Sequence, residues 1–359
     1  MIFRKDNEDF EKALAEFVGT KYAIGLNSGT DALFLSLLAA GIGKGSAFAK
    51  ATADKPASAS QSEATADKDE VITVSHTFVA SISTIIQAGA VPVLVDVGSD
   101  FVMDMEALEK AINSKTKAII PVHLNGRMCD MDKIIEIAKK HNLIVIEDAA
   151  QALGAEFNDK KAGSIGLTGC FSFYPAKILG CFGDGGALTT NDEKIAEKVR
   201  LLRDHGQKTK TEILCYGWNS RLDNLQAAAL NVRIKHLPKW IERRREIAKT
   251  YNQGLTGIKE IKLPPSPDSD PRYFDVFQNY VLRAERRDEL FNFLKEQEVE
   301  TLIKDPMPTH WQKGLNHSDF KLPLTEQLAK EVISLPMYPE LTNEQIDYTI
   351  NSIKRFYKK

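Results

Sequence analysis

Between Val71 and Glu147 the chain repeats one pattern: short runs rich in valine and isoleucine, each followed by a stretch with helical apolar spacing. A strand over 71–74 leads through His76, Thr77 and Phe78 into a helix over 79–88. A strand over 92–95, a helix near 105–112, a strand over 118–122, a helix near 131–140 and a strand over 143–147 follow. Parallel neighbours need a crossover of a dozen or more residues, usually a helix, so regular alternation predicts a mostly parallel sheet covered on both faces, the α/β class. Ligands in such sheets collect at the carboxyl ends of the strands. Phe78, His123, Asn125, Asp148 and Gln151 all fall there.

Downstream, Lys177 stands in GCFSFYPAKILGCFGDGGALTTND (169–192), after a strand-like apolar run at 170–174 and before the glycines 180, 183, 185 and 186. That setting presents one lysine on stiff backbone at a sheet edge. An ordinary lysine titrates near pH 10.4, so one that forms a Schiff base at neutral pH needs desolvation or nearby positive charge. Phe173, Tyr174, Ile178 and Leu179 would supply the first. The window also fits a plain surface lysine in a turn. Asp148 ends a strand apolar enough to be buried on both faces, where a carboxylate needs a cation, such as a protonated ring nitrogen, to offset its desolvation. It also fits an N-cap for a helix from Ala149. Residues 20–42, TKYAIGLNSGTDALFLSLLAAGI, read as a strand at 22–26, a small polar turn at 27–30 and a helix through Leu33, Leu37 and Leu38. Free N–H groups at such a helix start bind anions, phosphate above all; a simple cap by Ser28 or Thr30 is compatible with the same residues.

Composition narrows the function. With 359 residues, 43% hydrophobic and 27% charged, the chain has room for two domains, and its net charge of −2 argues against a polyanion-binding surface. Four cysteines without CxxC spacing and seven histidines without an HExxH pattern point to free thiols, a reducing compartment and no structural metal. The charged, amphipathic start and an apolar run of only 32–42 point to a cytoplasmic location. Residues 46–68, rich in alanine, serine and threonine and carrying ATADK twice, read as a low-complexity, disordered insert. A partner-binding tail is the functional alternative. A helical pattern over 222–251, which Pro238 should kink, leads to a strand over 276–282, a helix over 286–297, a short strand near Thr301 and a helix from Asn343.

Several stretches together resemble one family: SGTDAL (28–33), DEVITVSHTFVAS (69–81), PVHLNG (121–126), EDAAQALGA (147–155), SFYPAKILGCFGDGGALTTND (172–192) and NSRLDNLQAA (219–228), with SLPMYPELTNEQI (334–346) beyond them. The chain looks like the DegT/DnrJ/EryC1/StrS sugar aminotransferases, pyridoxal phosphate (PLP) enzymes of fold type I. The resemblance implies a large PLP-binding domain over 1–235 and a small α+β domain over 236–359. It implies that Lys177 holds PLP covalently and shuttles the proton, that Asp148 pairs with the ring nitrogen, that Gln151 bonds the ring hydroxyl and that Phe78 stacks on the ring. Gly29, Thr30 and Ser172 would hold the phosphate, and Asn219 would reach the cofactor of the other subunit in a homodimer with shared sites. Arg221 and His310 match positions that touch the sugar nucleotide in some members. Other members carry some thirty residues ahead of the position of Met1, and more often a tyrosine near Asp305 and a leucine near Thr309. The implied reaction moves an amino group from glutamate to a nucleotide-linked keto-sugar, with a 3-keto uronic acid sugar favoured by CFGDGG and NSRLD. A PLP deoxysugar dehydratase, in which histidine replaces the lysine, and a catalytically silent regulator are the alternatives.

Overall fold

The first strand of the chain sits at one edge of the main sheet and finds its partner only after most of that sheet has been built. The computed structural model describes residues 5–43, 68–304 and 306–358. The expected insert at 46–68, apart from Lys68, lies outside the described residues, as does Asp305. After helix α1 (Lys5–Val18) come β1 (Tyr22–Leu26) and α2 (Gly29–Ala39), then β2 (Glu70–Val74), α3 (Ala80–Gln87), β3 (Val91–Val95), α4 (Met105–Ala111), β4 (Thr116–Ile119), α5 (Met131–His141) and β5 (Ile144–Asp148). The order expected from the sequence is thus present, with strand ends displaced by a few residues. Next come β6 (Thr168–Ser172), β7 (Gly186–Thr190) and α6 (Glu193–Leu202).

The seven strands stand in the order β1-β7-β6-β5-β4-β2-β3. The pairs from β6 to β3 are parallel, and β7 is antiparallel to both of its neighbours. Every strand but β7 therefore points its carboxyl end to the same edge. Side chains alternate between two cores, as a two-residue period demands. Ile72, Ile119, Val145 and Phe171 pack into one, and Val71, Ala118, Ile146, Cys170 and Leu188 into the other.

Pro238 starts a helix rather than kinking one. Helix α7 (Asn224–Arg233) passes through a 3-10 turn (Ile234–His236) into α8 (Leu237–Leu255), with the proline in the first turn of α8, where an N–H has no intrahelical acceptor anyway. A second, three-stranded antiparallel sheet follows, β8 (Ile261–Lys262), β9 (Tyr280–Ala284) and β10 (Val332–Leu335), in the order β8-β9-β10. Helices α9 (Arg287–Glu296), α10 (Pro323–Glu331) and α11 (Asn343–Lys358) accompany it. Its own core includes Tyr251, Leu282, Leu290, Ile333 and Ile350. The strand expected over 276–282 begins only at Tyr280, because the backbone before it is diverted. Val276 N–H donates to the Gly126 carbonyl at 2.9 Å. The diversion is tight: a Cβ on Gly126, whose φ is +93°, would lie 2.7 Å from the Phe277 nitrogen.

Candidate active site

Five loops meet beyond the carboxyl ends of β1, β2, β4, β5 and β6. The turn after β1 is capped by Ser28, whose hydroxyl accepts the Asp31 N–H at 3.0 Å. Gly29 and Thr30, the first residues of α2, carry N–H groups that the helical ladder cannot satisfy. Gly29 packs so closely on β6 that a Cβ there would lie 2.8 Å from the Ser172 Cβ. This brings the helix start and Ser172 together.

Asp148 closes β5, 6% exposed. Its Oδ2 accepts the Ser81 hydroxyl at 2.7 Å and its Oδ1 the Ala150 N–H at 3.2 Å. Thr77 Oγ1 lies 2.9 Å from Ser81 Oγ, so the end of β2 and the start of α3 jointly fix the carboxylate. Burial pushes the Asp148 carboxyl up, and the Ser81 and Ala150 bonds and the charge of Lys177 pull it back. Among the described residues it makes no salt bridge. The expected helix from Ala149 is not there: residues 149–155 are turns and irregular backbone that lead to a short strand at Glu156–Phe157, so Asp148 receives a turn N–H rather than capping a helix.

Lys177 lies past the end of β6, which is an inner strand, so the expected sheet-edge location becomes the carboxyl edge of the sheet's interior. Its pKa is lowered to about 8, first by burial and then by the charge of Lys304, with Asp148 acting in the opposite direction. Phe173, Ile178 and Leu179 are buried around it, whereas Tyr174 turns outward. Gln151 Oε1 accepts the Asn125 N–H at 2.9 Å and the Asn279 amide at 3.3 Å. A backbone N–H can only donate, so this oxygen is identified by its partner and the NH2 group of Gln151 is left to donate elsewhere. Phe78, ahead of α3, is 67% exposed and offers a ring face.

Next to Asp148, Glu147 accepts the N–H groups of Gly163, Ile165 and Gly166 at 2.9, 2.8 and 2.7 Å and meets His123 Nε2 at 3.0 Å. Against the opposing effect of burial, Cys129 and Glu147 raise the His123 pKa to about 10, but a backbone donor on the ring decides its protonation. Because His123 Nδ1 accepts the Cys129 N–H at 3.2 Å, that nitrogen holds a lone pair. The ring is the neutral tautomer, and the pair is a structural brace behind the site.

The remaining expected residues are held by other partners. Asn219 is exposed and bridges to Asp204, and Arg221 binds Asp204 Oδ1 at 2.8 Å. His310 is fully buried, with Nδ1 2.7 Å from Ser75 Oγ and Nε2 3.4 Å from Glu326 Oε1. Ser81, Asn279, Gln278 and Lys304 escaped the sequence reading. Ser81 lay within a quoted motif, one helical turn from Thr77, but nothing in the sequence brings residues 278 and 279 to Lys177.

The family model of the DegT/DnrJ/EryC1/StrS aminotransferase family matches residues 2–354. The chain belongs to this family. DegT/DnrJ/EryC1/StrS proteins are PLP-dependent, so PLP is its cofactor. A "Pleiotropic regulatory protein" of Geobacillus stearothermophilus is 44% identical over 97% of this chain and 88% of its own length. The dTDP-3-amino-3,4,6-trideoxy-alpha-D-glucose transaminase of Streptomyces venezuelae is 40% identical over 98% of this chain and 87% of its own. The UDP-2-acetamido-2-deoxy-3-oxo-D-glucuronate aminotransferase of Pseudomonas aeruginosa is 37% identical over 94% and 87%. Among solved structures, S. venezuelae DesV in complex with a ketimine intermediate superposes with a TM-score of 0.90 at 38% identity, covering 100% of this chain and 91% of that one. The donors and acceptors described above fit the family's cofactor group by group: a buried carboxylate for a ring N–H, an amide NH2 for a ring oxygen, a helix start for a phosphate and an amine for an aldehyde.

Proposed function

We propose that this family member transfers an amino group from glutamate to the keto carbon of a nucleotide-linked sugar, and that the carbon is C3. The observation that carries the reading is the pairing of a buried, cation-less Asp148 with a nearby lysine whose pKa is depressed into the range of proton transfer. PLP, when bound, supplies an electron sink for the carbanion formed on loss of a proton. Lys177 Nζ would hold the cofactor and would move that proton at the substrate carbon. Asp148, fixed by Ser81 and Ala150, keeps the ring nitrogen protonated. Gln151 donates its NH2 to the ring oxygen, Phe78 covers one face, and Gly29, Thr30 and Ser172 take the phosphate.

The C3 assignment is supported by relatives whose names place the amino or keto group at C3, among them the 3-oxo-glucuronate enzyme, so a 3-keto uronic acid sugar is the specific candidate. Arg221 would meet the sugar nucleotide by charge, and His310 would act through the turn that it anchors on Ser75. A homodimer is part of the proposal. Phe182, Tyr216 and Leu225 are exposed apolar side chains of the kind that a second copy would cover, and Asn219 would then reach the neighbour's phosphate. The test is a panel of 3- and 4-keto-sugar nucleotides incubated with glutamate and PLP and read by mass spectrometry, with borohydride reduction to locate the cofactor. Amination of a 3-keto substrate and a phosphopyridoxyl mass on the Lys177 peptide are expected. A label on another lysine refutes the assignment. A chain that binds PLP yet turns over no member of the panel favours the regulator that the Geobacillus name suggests.

A further inference from the structure

We propose that Gln278 is a positioning residue for Lys177, clamping the nucleophile's backbone on both sides from the segment that leads into β9. Its Oε1 accepts the Ile178 N–H at 2.8 Å, and its Nε2 donates to the Ala176 carbonyl at 2.8 Å. Those two residues flank Lys177. An N–H can only donate and a carbonyl only accept, so the orientation of the amide follows from its partners. Gln278 is 8% exposed, which makes both bonds costly to lose.

The clamp is itself anchored. Asp275 binds Arg127 at 2.7 Å, Val276 N–H binds the Gly126 carbonyl, and Asn279 donates to Asn125 Oδ1 at 3.2 Å and to Gln151 Oε1. Residues 275–279 thus connect the loop after β4, the amide that faces the ring oxygen and the backbone of the lysine. Within its own loop Lys177 is held by its N–H to the Tyr174 carbonyl at 2.8 Å. The glutamine adds a restraint from a hundred residues away. A lysine has four rotatable side-chain bonds, so the direction in which its Cα presents them is the part that the fold can fix. Gln278 fixes it, and with Ala176, Asn279 and Lys304 it lines a cleft of about 640 Å3 beside the loop.

This inference rests on the reading of Lys177 as the cofactor-bearing residue, and the test separates the two. Gln278→Leu keeps the volume and removes both bonds. PLP affinity, measured by equilibrium dialysis, should fall about tenfold, because attachment must then order the backbone of Lys177 that the clamp otherwise fixes in advance. Affinity for pyridoxamine phosphate, which forms no bond to the lysine, should stay within about threefold. Turnover should drop in kcat with the KM for the keto-sugar unchanged. Gln278→Met is read in the same way if the leucine variant does not fold. Equal weakening of both cofactor forms, or no change in either, overturns the clamp. A wild-type chain that takes up no PLP overturns the reading of Lys177 and the clamp with it.

Discussion

Replacing Lys177 by methionine should make the cofactor-free protein more stable. The lysine titrates at about 8 in the fold against 10.5 as its ordinary value, with burial the largest cause. Since one pKa unit corresponds to about 1.36 kcal/mol, the protonated lysine weakens the fold by about 3 kcal/mol at most. Below pH 8 both folded and unfolded chains carry the proton and the penalty is present in full. Between pH 8 and 10.5 the folded lysine is neutral while the unfolded one still binds its proton, so the penalty shrinks as pH rises, and above 10.5 it is gone. Methionine matches the length without the charge. Allowing for partial solvation of the side chain, the expected gain from Lys177→Met is about 1–3 kcal/mol at pH 7, falling towards zero by pH 10.5. Urea unfolding of both apoproteins at equal concentration, with unchanged m-values, measures it. A methionine variant no more stable than wild type at pH 7, or a gap that does not close at alkaline pH, would show that the lysine is solvated and that its reactivity has another origin.

Ser81→Ala removes a 2.7 Å hydrogen bond to Asp148 and should cost about 1.5–3 kcal/mol of PLP binding. The deficit should grow as pH falls, because the carboxyl pKa moves further up; a pH-independent deficit in dialysis would argue for a packing effect. Gly29→Ala brings a Cβ within 2.8 Å of the Ser172 Cβ and should lower stability by about 1–3 kcal/mol. It should weaken PLP far more than pyridoxal, which lacks the phosphate, and equal losses would remove Gly29 from the phosphate cradle. If the proposed homodimer shares its sites, Lys177→Ala and Asn219→Ala proteins, mixed and allowed to exchange subunits, should exceed their mean activity at limiting PLP, because one site of the heterodimer would be intact. Activity that stays at the mean despite exchange confirmed by mass would place both residues in one chain's site.

The sequence revealed the parts of the site that are local. Ser28 to Thr30, Phe78, Asp148 and Lys177 each follow a strand whose apolar run is visible on its own, and the parallel topology puts the ends of those strands along one edge. Strand β7 was hidden because it grows out of a glycine-rich run that reads as a turn. Pro238 was misplaced because spacing alone does not distinguish the first turn of a new helix from the middle of a long one. Gln278 and Asn279 lay inside an apolar run that reads as a strand. The backbone of that run pairs elsewhere, Val276 N–H with the Gly126 carbonyl and Asn279 N–H with the Asn125 carbonyl, a choice made by contacts some 150 residues apart.

The strand order also sets a schedule for synthesis. Among the described residues β7 is the one strand that pairs with β1, so the ladder of Tyr22–Leu26 must wait for Gly186–Thr190 to leave the ribosome. At 5–20 residues per second that delay is roughly ten to thirty seconds. Through it the apolar strand has α1 and α2 as neighbours but no partner along its edge, and the start of α2 has no Ser172 beside it. Every segment of the site made before Lys177 is in place only as a fragment, and the pocket closes when residues 275–279 arrive. A nascent chain halted short of Asp275 should therefore hold its main sheet but not its cofactor.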